Sequence, residues 1–193
     1  MKIEYEATFI NINKDEIRQK LKEAGASLLK SEFLQKRITF DLPSGHEKKG
    51  AWLRVRDEGD KNTLTLKIID GEKIEDQKEI SLLINSMEEA SELLSAMGCR
   101  KKAYQESRRE LWLLDNVEIT IDEWPYLEPY VEIEGISEQV VKDASIKLGF
   151  DYSQALFCSV DKLYEMKYGI DREIICQNTE RITFSDPNPF ISL

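Results

Sequence analysis

Ile3-Glu4-Tyr5-Glu6-Ala7 alternates apolar and acidic residues, and Val131-Glu132-Ile133-Glu134 repeats the pattern far downstream. Between them lies a charge-reversed counterpart, Leu53-Arg54-Val55-Arg56. Successive residues of a β-strand point to opposite faces. Each segment therefore sets two like charges on one face and apolar groups on the other. Separate acidic and basic strands suggest a site that holds a polyanion together with metal cations.

The 193 residues suffice for one sizeable core, and 41% hydrophobic with 33% charged content reads as a soluble globular chain. No apolar run approaches the ~20 residues of a membrane span. Met1-Lys2-Ile3-Glu4 lacks the apolar stretch of a secretory signal, so a cytoplasmic location is expected. The net charge of −10 weighs against nucleic acid or an anionic membrane as partner, while leaving room for a local basic pocket. Cys99, Cys158 and Cys176 form no CxxC pair, which disfavours disulfides and structural zinc. The single histidine, His46, falls in the polar loop run Pro43-Ser44-Gly45-His46-Glu47-Lys48-Lys49-Gly50, making histidine-based nucleophilic catalysis a poor candidate. Any metal would need oxygen ligands.

Strands are expected at 2–10, 33–41, 51–57, 62–69, roughly 74–82, 103–114, 117–123 and 130–135, with a hairpin turn at Asp70-Gly71-Glu72. Asn13, Ser86 and Ser137 read as N-caps of three helices stopped by Gly25, Gly98 and Gly149. The second helix should bury Ala90, Leu93, Leu94 and Met97, and a fourth helix is expected over 153–167. The sum is one α+β domain, residues 1–170, with a mainly antiparallel sheet and a C-terminal tail, residues 171–193, packed on it or extending from it.

An alternating strand ordinarily presents its polar face to water over a single core. Here the charges segregate by strand, and Lys67, Glu79, Arg109 and Asp122 add single charges in matching alternation. The helices carry apolar stripes that need a sheet face to cover. If they cover the apolar faces, the charged faces must line something else, and a barrel with a polar lumen satisfies that geometry. No GxGxxG, Walker A or HExxH motif offers another reading. Trp112, Trp124 and Tyr126 read as packing residues.

In order and rough spacing, Glu4-x-Glu6, Leu53-Arg54-Val55-Arg56, Lys67, Lys78-Glu79-Ile80, Arg109, Asp122 and Tyr130-Val131-Glu132-Ile133-Glu134 resemble the CYTH superfamily, the triphosphate tunnel metalloenzymes. The resemblance spans residues 1 to about 165. It implies an eight-stranded antiparallel β-barrel, flanked by helices, whose lumen is a tunnel binding a small-molecule triphosphate with Mg²⁺ or Mn²⁺. Members include tripolyphosphatases, thiamine triphosphatases, RNA triphosphatases and class IV adenylyl cyclases. Carried over by position, Arg54, Arg56, Lys67 and Arg109 would clamp phosphate oxygens. Glu4, Glu6, Asp122, Glu132 and Glu134 would hold metal, with Glu79 as a supporting acid. Glu4, Glu6, Arg54 and Arg56 would form the catalytic set. A homodimer is compatible with the family. Hard divalent ions prefer carboxylate oxygens and bridge to phosphates, and arginine forks match phosphate bidentately.

The family motif is ExExK, and Thr8 stands at the lysine position, among the substrate-binding positions. Ser107 and Gln77 are likewise polar where relatives often carry a basic residue, and Lys36 or Arg37 could compensate. The expected activity is metal-dependent triphosphate hydrolysis. The alternatives are cyclisation of ATP to cyclic AMP and pyrophosphate, and a non-catalytic triphosphate or polyphosphate sensor, which Thr8 favours.

Overall fold

The computed structural model describes residues 1–191, apart from the side chains of Cys176 and Gln177; Ser192 and Leu193, at the end of the expected tail, lie outside it, as does the Cys176 thiol. Ten strands form one sheet: β1 (Lys2–Ile3), β2 (Tyr5–Phe9), β3 (Ser27–Phe40), β4 (Ala51–Asp57), β5 (Asn62–Ile69), β6 (Gln77–Ile84), β7 (Lys101–Leu114), β8 (Val117–Glu123), β9 (Tyr130–Gly135) and β10 (Arg181–Ile182). Five helices accompany them: α1 (Lys14–Glu23), α2 (Met87–Ala96), α3 (Glu138–Lys147), α4 (Val160–Tyr168) and α5 (Arg172–Gln177).

The main path runs β1-β6-β5-β4-β3-β7-β8-β9-β2, antiparallel throughout. Its two ends, β1 and β2, are halves of one N-terminal strand. The chain shifts partner at Glu4, whose N–H donates to Gln77 O at 2.9 Å. The first half pairs with β6 and the second with β9, so one broken strand nearly closes the sheet into a barrel and leaves little free edge. Counted as one, β1 and β2 give the eight walls expected from the sequence.

Two apolar cores lie outside the wall, and a third reaches the lumen. Asn13 accepts hydrogen bonds from the N–H groups of Asp15 and Glu16, starting α1. Ile17 and Leu21 then pack with α3's Val141 over Ala7, Ile119 and Ile133. Ser86 caps α2, which lays Ala90 and Leu94 on Val55 and Phe40. A third cluster joins Trp124 and Tyr130 to Tyr164, Ile175, Ile182 and Phe190 of the C-terminal region. β10 pairs in parallel with β7 at Tyr104 and Gln105, on the stretch of β7 that precedes its pairing with β8.

Several local expectations fail for identifiable reasons. Residues 153–167 are not one helix. A 3-10 turn at Tyr152–Gln154, capped by Asp151, gives way to extended chain, and Leu156 exchanges both backbone hydrogen bonds with Thr8 before α4 begins. The β5–β6 connection is longer than a tight hairpin because Ile74 leaves the strand path to enter the α1–α3 core, 1% exposed. β6 consequently starts at Gln77. β3 begins at Ser27 and runs along nearly the whole of β7. Leu93 of α2 and its C-cap Met97 are exposed, because the helix packs on the sheet through Ala90 and Leu94.

Candidate active site: a charged tunnel

The barrel encloses a cavity of about 950 Å³. One wall is acidic. The register places Glu6 opposite Glu134 and Glu134 opposite Glu118, with Thr8, Glu132 and Thr120 as the next row. Glu4 sits at the seam beside them. Glu4, Glu6 and Glu134 each present a carboxylate oxygen within 4.8 Å of the other two. Burial and the neighbouring Glu132 and Glu4 carboxylates push Glu6 well above the ordinary carboxylate range. Burial, with Glu4 behind it, raises Glu134 as well. Glu4 itself is drawn down: its burial opposes ionisation, but Lys67 outweighs it, with Nζ 2.7 Å from Oε2.

The facing wall is basic. Val55 is fully buried beneath α2, so Arg54 and Arg56 on either side of it turn to the lumen. Arg56 donates to Glu58 Oε1 through Nε at 3.0 Å and Nη2 at 2.6 Å. Arg54 is 8% exposed and its Nε has no hydrogen-bond partner. Burial first, then Arg56, lowers its guanidinium to about 10.

Arg109 occupies a different position. It holds Asp122 with Nε to Oδ1 at 2.7 Å and Nη2 to Oδ2 at 2.9 Å, and its Nη2 also donates to Glu132 Oε2 at 2.6 Å. Asp122 further accepts from Thr120 Oγ1 at 2.6 Å. Asp122 and Glu132, two of the five carboxylates expected to bind metal, are thus engaged by this arginine, and among the described residues the carboxylates that converge are the other three, Glu4, Glu6 and Glu134.

The remaining sequence-derived positions are also accounted for. Glu79 lines the cavity and lies opposite Lys67 in the β5–β6 register. Thr8 is 3% exposed, bonded through its backbone to Leu156, and paired with Glu132 on the acidic wall without itself lining the cavity. Gln77 donates its amide to Glu6 O at 2.8 Å, and Ser107 accepts from Arg37. Lys36 belongs to the outer face, alongside Met87 of α2, whereas Arg37 enters the lumen. Glu58 and Glu118 line the cavity without having been anticipated. Glu58 lay hidden in a turn signal, Asp57-Glu58-Gly59-Asp60, although alternation carried past Arg56 would have found it.

Three carboxylates converging on one point, facing arginines across a shared cavity, form a donor set suited to a hard divalent ion and an anion. The CYTH domain family profile matches residues 2–164. The chain belongs to the CYTH domain family. Among solved structures, this CYTH chain is similar to the PH1819 protein from Pyrococcus horikoshii OT3, at 26% identity and TM-score 0.67, covering 85% of this chain and 99% of that one. A candidate adenylate cyclase from Vibrio parahaemolyticus aligns with TM-score 0.74 at 12% identity over 85% and 98% of the two chains. HpAC1 from Hippeastrum, an adenylyl cyclase candidate reported to have a dominant triphosphatase activity, aligns with TM-score 0.58 at 14% identity over 90% and 99%. No curated protein matches the chain. Among the described residues no helix is long and apolar enough to cross a membrane.

Proposed function

We propose that this CYTH barrel binds a triphosphate with Mg²⁺ or Mn²⁺ in its tunnel and hydrolyses it. The observation that carries the reading is the opposition of Glu4, Glu6 and Glu134 to Arg54 and Arg56 across one cavity. Glu4, Glu6 and Glu134 would hold the ion, and their all-oxygen donor set fits either metal. When bound, the ion would neutralise phosphate charge that these carboxylates would otherwise repel. Arg54 brings an unmet Nε–H donor to the phosphate oxygens. Arg56 and Lys67 add positive charge while each remains tied to a glutamate. Arg109 braces Asp122 and Glu132. Phosphoryl transfer depends on such positioning and charge neutralisation more than on covalent catalysis.

A second reading is cyclisation of ATP. The cavity volume admits a nucleoside beyond the phosphates, and a candidate adenylate cyclase shares the fold. The enzyme is proposed to act in the cytoplasm on a small-molecule triphosphate, without nucleic-acid or membrane partners, as a monomer or homodimer.

The test is a panel of tripolyphosphate, thiamine triphosphate and nucleoside triphosphates with each metal, resolving phosphate, pyrophosphate and cyclic nucleotide. Phosphate release supports the hydrolase. Cyclic AMP with pyrophosphate selects the cyclase. Binding without turnover selects the sensor.

A further inference from the structure

The lumen arginines and lysine differ in how well their charge is already met. Lys67 is paired with Glu4, Arg56 with Glu58, and Arg109 with Asp122 and Glu132. Arg37, on β3, has no such partner. It is 8% exposed, and among the described residues no carboxylate lies within 4.0 Å of it. Its Nη2 donates to Ser107 Oγ at 2.9 Å, with Gln35 Oε1 at the margin of hydrogen-bond distance, 3.5 Å. Its guanidinium carbon lies 4.2 Å from the centroid of the Trp124 ring. Its Nε has no partner at all. The cations Arg56, directly opposite in the β3–β4 register, and Arg54 and Arg109 share the lumen with it and act on its charge, as does the Tyr130 hydroxyl.

A buried guanidinium among like charges, with one donor unmet, is costly unless an anion completes it. Ser107 and the Trp124 ring fix its orientation without neutralising it. Arg37 therefore carries charge that the protein itself leaves uncompensated.

We propose that Arg37 is an additional anion-binding residue, holding phosphate oxygens of the tunnel ligand together with Arg54 at the Trp124 side of the lumen. This rests on the reading of the tunnel as a triphosphate site. It redistributes the work there: Arg37 and Arg54 receive the anion's charge, while Lys67 and Arg109 act mainly to hold carboxylates in place.

The test is calorimetric titration with inorganic tripolyphosphate in Mg²⁺, with thermal unfolding alongside. Wild type is compared with Arg37→Gln, Arg37→Lys and Lys36→Gln, the last on the outer face of the same strand. Arg37→Gln should weaken binding about 10- to 100-fold. Arg37→Lys should recover part of that loss, and Lys36→Gln should bind as wild type. Ligand-free Arg37→Gln should melt no lower than wild type, yet gain less from tripolyphosphate. Binding by Arg37→Gln within about twofold of wild type, or a lower ligand-free melting temperature with unchanged affinity, would overturn the proposal. If wild type itself does not bind tripolyphosphate, the triphosphate reading fails with it.

Discussion

Arg109 on β7 grips Asp122 on β8 through two parallel hydrogen bonds, and Asp122 has no exposure to solvent. The pair joins directly opposed residues of neighbouring strands and extends to Glu132 on β9. Replacing Arg109 with Met would strand a buried carboxylate, at a cost of about 3–5 kcal/mol. Urea unfolding of Arg109→Met should show that loss, and Arg109→Met/Asp122→Asn should recover part of it. A loss below about 1 kcal/mol in the single variant would show that the pair is not a structural clamp.

Glu4 serves two groups at once: it neutralises Lys67 and forms one corner of the carboxylate triangle. Glu4→Gln should therefore weaken Mn²⁺ binding about 10- to 100-fold and lower metal-free stability by about 3 kcal/mol, because Lys67 keeps its burial and loses its partner. Calorimetry and urea unfolding on one preparation separate the two effects. Unchanged Mn²⁺ affinity would remove Glu4 from the metal site.

In metal-free protein, burial followed by neighbouring carboxylates holds Glu6, Glu132 and Glu134 above the ordinary range. Between the ordinary value and the raised ones, the folded chain binds more protons than the unfolded chain. Stability must then fall as pH rises through that window. Glu4, drawn down by Lys67 against its burial, acts oppositely at more acidic pH. Urea midpoints in EDTA should be higher near about pH 5.5 than near about pH 8. Mn²⁺ should reduce the difference by stabilising the protein at the higher pH. A midpoint that rises with pH in EDTA would contradict the repulsion between these carboxylates.

The C-terminal region is part of the wall. Tyr164 is fully buried, donates to Pro125 O at 2.7 Å, and packs with Ile175, Ile182 and Phe190 against Trp124. Tyr164→Ala should cost about 3–5 kcal/mol in urea unfolding and should also weaken tripolyphosphate binding, because Trp124 supports Arg37. A stability loss with unchanged affinity would separate this cluster from the site.

Where alternation was unambiguous, the sequence was a sufficient guide. The strands bearing Arg54 and Arg56, and Lys67, begin and end where expected, because flanking turn residues bound them and Val55 must be covered. What it could not show were pairings made at a distance. Nothing local marks Glu4 as the point where the N-terminal strand changes partner, or Leu156 as the residue that takes Thr8's backbone and interrupts a helical pattern. Lys36-Arg37 is a doublet of like charges, so alternation alone cannot say which enters the lumen; the register of Arg37 with Arg56 does. For the same reason Arg109 and Asp122 read as separate phosphate and metal ligands, although they bond to each other.

If Arg54 faces a triphosphate held with a divalent ion, removing its guanidinium must weaken that binding. The decisive measurement is calorimetric titration of wild type and Arg54→Ala with tripolyphosphate in Mg²⁺. Wild type should bind in a metal-dependent way, and Arg54→Ala should lose about 10- to 100-fold in affinity. Equal affinity of the two proteins, or no binding by wild type, would contradict this arrangement.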